Sequence, residues 1–292
     1  MTNNLNNTLR NNPRNNPRNN LRNNLSNKSG DKPRVLVLLA AGINRDKDAQ
    51  DAFTLAGAEA ERVHINDIAD GTKHLADYQI LMLPGGFSFG DDIASGKVLA
   101  NKLKYKLKDD LLQFIADGKL ILGVCNGFQV MVKLGMLPGI DGDYMRQDVT
   151  LTNNDSGKFE DRWVNLKVNP ESKCVFTRGI EKGIYVPICH GEGKFIPRDD
   201  EVLTRLQENG QVVVRYVDET GEFGTYPVNP NGSVAHIAGI CDETGRIFGM
   251  MPHPENYIQR TQHPNWTRKD LPDEGDGLAI FKNAVEYVKR EL

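Results

Sequence analysis

Short apolar runs alternate with amphipathic segments from residue 34 onward, and this alternation restricts the fold more than any other feature of the chain. Residues 34–41 (RVLVLLAA) are almost wholly apolar and end beside Gly42. A run of that length without polar alternation reads as a strand buried on both faces. Residues 46–59 then show helical spacing through Ala49, Phe53 and Ala56. Residues 62–65, 78–84 and 119–124 are strand-like again, 92–117 reads as one or two helices, and 126–134 as another. Strands and helices in this rhythm predict an α/β fold: a doubly wound, mostly parallel sheet with helices on both faces.

After Asp148 the texture changes. Residues 163–168, 184–188, 212–217, 234–240 and 246–251 are strand candidates separated by turns, with few helices between them. They predict an antiparallel, β-rich insertion into the same domain, closed by an amphipathic helix over 277–290. The expectation is one domain over residues 33–292.

Residues 1–32 differ from everything after them. The stretch NNPRNNPRNNLRNN places Arg10, Arg14, Arg18 and Arg22 four apart. Pro13 and Pro17 oppose a helix, and the asparagine spacers have nothing to bury. This predicts a disordered basic tail; an Arg-rich targeting peptide or an RNA-touching arm is the other reading of such a composition.

The totals exclude several classes. A net charge of −3 gives no general pull toward nucleic acid or anionic lipid. No apolar run approaches the roughly 20 residues of a membrane helix. Cys125, Cys174, Cys189 and Cys241 are widely spaced, without a C-x-x-C pair. That spacing predicts neither a zinc cage nor a disulfide framework, and fits a reducing cytoplasm.

One cysteine stands apart. In ILGVCNGFQVM, Cys125 lies where a buried strand gives way to a helix, with Gly123 and Gly127 two residues to either side. This is the G-x-nucleophile-x-G pattern of a sharp strand-to-helix elbow. Glycines there permit a tight turn and leave the sulfur unshielded. The helix N-terminus favours a thiolate, which matters because a free thiol is only about 3% ionised at pH 7. A small buried residue at a tight turn has the same local sequence.

A nucleophile needs a base and a group that orients the base. MMPHPE supplies both, as His253 and Glu255 around Pro254, after a strand-like run. Proline pushes the residue before it toward extended geometry, and in an extended chain i and i+2 share a face. His190 adjoins Cys189, but neighbours on a strand face opposite ways. His64, His74, His236 and His263 lack such companions and read as structural or surface residues. LPGGFSFGD follows the strand at 78–83 and brings two glycines to the same sheet edge. Backbone N–H groups of Gly86 and Asn126 are the candidates for an oxyanion hole. The loop also loosely matches a phosphate-binding loop, but no Lys-Ser/Thr follows it.

GVCNGFQ, LPGGFSFGD and MMPHPE together resemble the nucleophile, oxyanion and His-x-Glu segments of the class I glutamine amidotransferases. LAGAEAERVHIND, LTNNDSGKFEDRW and Asp276-Gly277 before Phe281 are similar to stretches of the PurQ-type glutaminase subunits of phosphoribosylformylglycinamidine synthase. The likeness runs from about Arg34 to the C-terminus. It implies a flavodoxin-like fold, Cys125 as nucleophile, His253 as acid–base and Glu255 as its orienter. It also implies that Gln129 contacts the bound glutamine and that NDSGKF and HGEGKF line the pocket. Ammonia is then expected to pass to a large ATP-using synthetase subunit, often with a small third subunit. That partner converts formylglycinamide ribonucleotide to the amidine in purine synthesis. No cofactor is expected in this chain; ATP and magnesium are expected in the synthetase. The chain departs from the family at Asp92–Lys97 (DIASGK), where Y-L-R-A-G-A is usual, and at Arg45, where a cysteine is usual. Two other readings of the elbow are a stand-alone cysteine amidase or peptidase and a non-enzymatic redox-sensing or chaperone-like protein. The second of these needs no His-x-Glu segment.

Overall fold

The computed structural model describes residues 32–292. The expectation for the tail falls, except for Lys32, outside the described residues. From the N-terminus the chain forms β1 (Arg34–Leu39), α1 (Asp46–Leu55), β2 (Glu59–His64), α2 (Ile65–Ala69), β3 (Ile80–Leu83), α3 (Lys97–Lys106), α4 (Lys108–Ala116), β4 (Leu120–Val124) and α5 (Asn126–Leu134). Then follow β5 (Val149–Asn153), β6 (Glu160–Val168), β7 (Ile184–His190), β8 (Glu192–Pro197), α6 (Asp200–Glu208), β9 (Val212–Val217), β10 (Ile237–Cys241), β11 (Ile247–Met250) and α7 (Leu278–Glu291).

Nine strands make one sheet in the order β2-β1-β3-β4-β11-β10-β9-β6-β7. The first five run parallel, and β10, β9, β6 and β7 continue antiparallel. The β-rich region is therefore an insertion in sequence but an extension of the central sheet in space. Its chain leaves after β4 and returns so that β11 pairs directly with β4, Gly249 beside Gly123 and Met250 beside Val124. β3, β4 and β11 are buried along their whole lengths, as strands covered on both faces must be. Helices supply the cover: α3 and α5 pack together, while Phe53 of α1 meets Phe281 of α7 edge to face at 4.9 Å.

Four elements escaped the sequence reading, the short α2 among them. β5 and β8 form a separate two-stranded antiparallel ribbon. α6 is mostly polar and buries only Val202 and Leu206, four residues apart, so its apolar stripe is too thin to notice. Its start is signalled instead by Asp199, whose carboxylate accepts the Val202 N–H at 2.9 Å. α1 also stops at Leu55 rather than running to 59. Gly57, at φ +97°, ends it, and the polar run EAERVH becomes β2 at the sheet edge. Among the described residues, no helix is long and apolar enough to cross a membrane.

Candidate active site

β1, β3, β4 and β11 are parallel, so the loops leaving their C-terminal ends gather at one edge of the sheet, where open α/β sheets bind ligands. Cys125 follows β4 directly. Its N–H donates to the Met250 carbonyl at 2.8 Å, and its own carbonyl accepts the Gln129 N–H at 3.0 Å. The cysteine thus joins two strands and caps α5. Its backbone sits at φ 51°, ψ −107°, a region that costs a non-glycine residue about 1–3 kcal/mol.

The flanking glycines have a different task from the one expected. The positive φ falls on Cys125 itself and on neither glycine. A Cβ on Gly127 would stand 1.9 Å from the Leu83 carbonyl oxygen, and one on Gly123 would stand 2.2 Å from Met131 Sδ. Both glycines are needed so that α5 can lie against the sheet. That close packing holds the elbow in its strained form.

His253 comes from the end of β11 and is tied by its N–H to the Pro187 carbonyl at 2.8 Å. Its Nδ1 meets Glu255 Oε1 at 2.7 Å, and both side chains are buried. The i to i+2 contact arises differently from the extended geometry expected. Pro254 opens a 3₁₀ turn over Pro254–Asn256, and this turn swings the carboxylate back under the ring. With Nδ1–H donating to Glu255, Nε2 is left buried and without a hydrogen-bond partner among the described residues. Burial opposes charge on this ring, but the Glu255 carboxylate and then the Cys125 thiol outweigh it. His253 therefore titrates well above the usual histidine range.

The thiol and the imidazole share one small cleft, with Gly86, Phe87 and Cys189 also on its wall. Cys125 is 5% exposed, enough to open onto that cleft. A Cβ on Gly85 would stand 2.8 Å from His253 Cε1 and 3.5 Å from Cys125 Cβ. Gly85 therefore keeps open the space beside nucleophile and base. The cleft is roofed from an unexpected direction: the Cys125 thiol is 3.6 Å from the Cys189 carbonyl oxygen on β7. The twisted sheet curls its antiparallel end over the parallel strand ends.

The loop after β3 is pinned on both sides. Gly85 O accepts the Asn44 and Arg45 N–H groups at 3.4 and 3.2 Å, and Phe87 N–H donates to Gly42 O at 2.8 Å. Between them, the Gly86 N–H has no acceptor among the described residues, and neither has the Asn126 N–H in the first turn of α5. The Asn126 side chain accepts the Ser88 N–H at 3.2 Å and donates to Asp91 at 3.2 Å and to Gln129 at 3.0 Å. Gln129 is buried, donates to the Glu192 carbonyl and is not among the residues that line the cleft. In the departing segment, Ser95 Oγ and Gly96 N–H both bond the Asp91 carboxylate, at 3.0 and 3.1 Å. A Cβ on Gly96 would meet Val130, so this glycine is required for packing against α5.

Two neighbours had no individual role in the sequence reading. His190 is buried, with Nδ1 3.1 Å from Asn154 Oδ1 and Nε2 without a partner among the described residues. Burial, with the charge of His253, pushes it down to about 3, so it is neutral. Asn154 also donates to the His190 and Lys158 carbonyls, stitching HGEGKF to NDSGKF. Arg45 lines the cleft as well. The remaining histidines lie elsewhere; His263, for example, packs among Trp163, Tyr185 and Tyr257.

Residues 32–288 match the family model of the CobB/CobQ-like glutamine amidotransferase domain. The chain belongs to this glutamine amidotransferase family. It is 48% identical over 260 residues to the phosphoribosylformylglycinamidine synthase subunit PurQ of Dehalococcoides mccartyi, covering 89% of this chain and 99% of that one. It is likewise 48% identical over 270 residues to PurQ of Methanococcus maripaludis, covering 88% of this chain and 98% of the relative. Among solved structures, a chain of PurLQS from Thermotoga maritima superposes with a TM-score of 0.67 at 33% identity, covering 88% of this chain and 99% of that one. The amidotransferase fold thus extends over nearly all the described residues, β-rich extension included.

Proposed function

We propose that this chain is the glutaminase subunit of phosphoribosylformylglycinamidine synthase. The observation that carries the reading is the meeting of Cys125, His253 and Glu255 at adjacent parallel strand ends, in a chain like PurQ over almost its whole length. The Cys125 thiolate attacks the side-chain amide carbon of glutamine. The oxyanion that forms is held by the N–H groups of Gly86 and Asn126. His253 gives a proton to the departing ammonia, leaving a thioester on the sulfur. Water, deprotonated by the same ring, then attacks the thioester and releases glutamate. Glu255 fixes the ring's tautomer and steadies its charged form.

The ammonia passes to a synthetase subunit that uses ATP and magnesium, with a small third subunit in the complex. There it converts formylglycinamide ribonucleotide to the amidine in cytoplasmic purine synthesis. The test is a glutaminase assay on the purified chain, repeated after adding the synthetase and small subunits. Low activity alone, rising on assembly and coupled to amidine formation, is expected. Full activity without any partner would instead describe a stand-alone amidase.

A further inference from the structure

Arg45 places a positive charge on the wall of the cleft, paired through one nitrogen with Asp48. Its backbone N–H is held by Gly85 O at 3.2 Å, at the start of α1. Its Cγ lies 3.3 Å from the point where a Gly85 Cβ would stand, the same point that is 3.5 Å from Cys125 Cβ. The stem therefore starts beside the nucleophile, and its head ends at the part-exposed Asp48. The guanidinium meets one group among the described residues, Asp48 Oδ2, at 3.2 Å from Nη1. Nε and Nη2 have no acceptor there. The side chain is 33% exposed, so it is a wall of the cleft open to an incoming anion. Asp46, the nearest other acid on α1, is engaged by Arg62 at 2.9 Å.

We propose that Arg45 receives the α-carboxylate of the substrate glutamine. The proposal rests on the glutaminase reading above and deepens it. When the amide carbon of glutamine is at the Cys125 sulfur, its α-carboxylate lies about 5 Å further out along the chain, given ordinary bond lengths. Arg45 lines the same cleft with a part-exposed head, and its side chain is long enough to span that distance. A guanidinium with Nε and one Nη free presents the fork that binds a carboxylate through two parallel hydrogen bonds. Arg45 is then a specificity-determining residue. It selects a free amino acid over a side-chain amide within a peptide, whose α-carboxyl is blocked.

Steady-state kinetics on the assembled complex test this with two substrates, glutamine and its α-amide, in which the carboxylate is replaced by a neutral group. In Arg45→Gln, the KM for glutamine is expected to rise about tenfold or more while kcat stays within about threefold, the pattern of lost uniform binding. kcat/KM for the α-amide is expected to be equal in wild type and variant, and Arg45→Lys to recover part of the loss. An equal loss on both substrates, an unchanged KM for glutamine, or a shifted pH profile would overturn the proposal; the last would mean that Arg45 works through the thiol. If the wild-type complex released no ammonia from glutamine, the glutaminase reading itself would fall. Normal wild-type hydrolysis beside an indifferent Arg45→Gln would sink only the role of Arg45.

Discussion

The sulfur of Cys125 lies 3.6 Å from the backbone carbonyl of Cys189, although β11, β10, β9 and β6 stand between their strands in the sheet. The contact closes the cleft from above. It gives the thiol an acceptor and keeps bulk water from one side of the reacting atoms.

Cys125 is strained as well as placed. Cys125→Ala should abolish glutamine hydrolysis while leaving the fold intact. Cys125→Gly should abolish it too, yet melt higher than Cys125→Ala, because glycine accepts φ 51° without cost. The difference should be about 1 kcal/mol by thermal or denaturant unfolding. Equal stability of the two variants would mean that the elbow stores no strain.

The His253–Glu255 pair predicts a particular pH response. The ring's titration is raised in the folded protein, so stability from its charged form is complete below about pH 6.5 and is lost as pH rises through the raised value. Glu255→Gln removes the main group opposing burial. The alkaline limb of kcat/KM should then move to lower pH, with turnover falling less than in His253→Ala. A limb that stays in place would assign it to another group.

His190 should oppose stability in acid. It is buried and neutral, with its titration pushed down to about 3, whereas the unfolded chain protonates near 6.5. Unfolding therefore takes up a proton below about pH 6.5, and this group alone should cost about 1.4 kcal/mol per pH unit there. His190→Gln should flatten that slope in unfolding curves between pH 6.5 and 4.5. An unchanged slope would show that the ring is charged or mobile in the folded state.

Gly85→Ala is a steric probe of the cleft. Gly85 has no positive φ, so the backbone tolerates alanine, but the new methyl would stand 2.8 Å from His253 Cε1. The variant should fold with near-normal unfolding behaviour and lose about 10²-fold or more in kcat/KM, since displacing the base by even 1 Å is costly. Retained activity would mean that the imidazole has room to move.

Much of this was readable from residue order. Apolar runs without alternation identified β1, β3 and β4, and the elbow placed Cys125 at a strand end. His253 and Glu255 were found by the demand for a base and an orienter, not by proximity. The unread parts of the site share a cause: they depend on what the sheet does over long distances. No local pattern says that β11 inserts beside β4, or that β7 curls back so that Cys189 meets Cys125. Arg45 was visible as a departure from the family, but its use depends on the depth of the Gly85 loop, which three-dimensional packing decides. The task of Gly123 and Gly127 was misjudged for the same reason, because the atoms they make room for, Leu83 O and Met131 Sδ, belong to other turns and strands.

β11 is the last in chain order of the described strands, yet it occupies the middle of the sheet, between β4 and β10. A growing chain that has emerged only as far as β10 has its elbow cysteine in hand but lacks the strand that joins the two halves. Assembly must wait for β11, and the enzyme cannot switch on piecemeal. The reactive sulfur acquires its base only when the whole sheet zips shut around the latecomer.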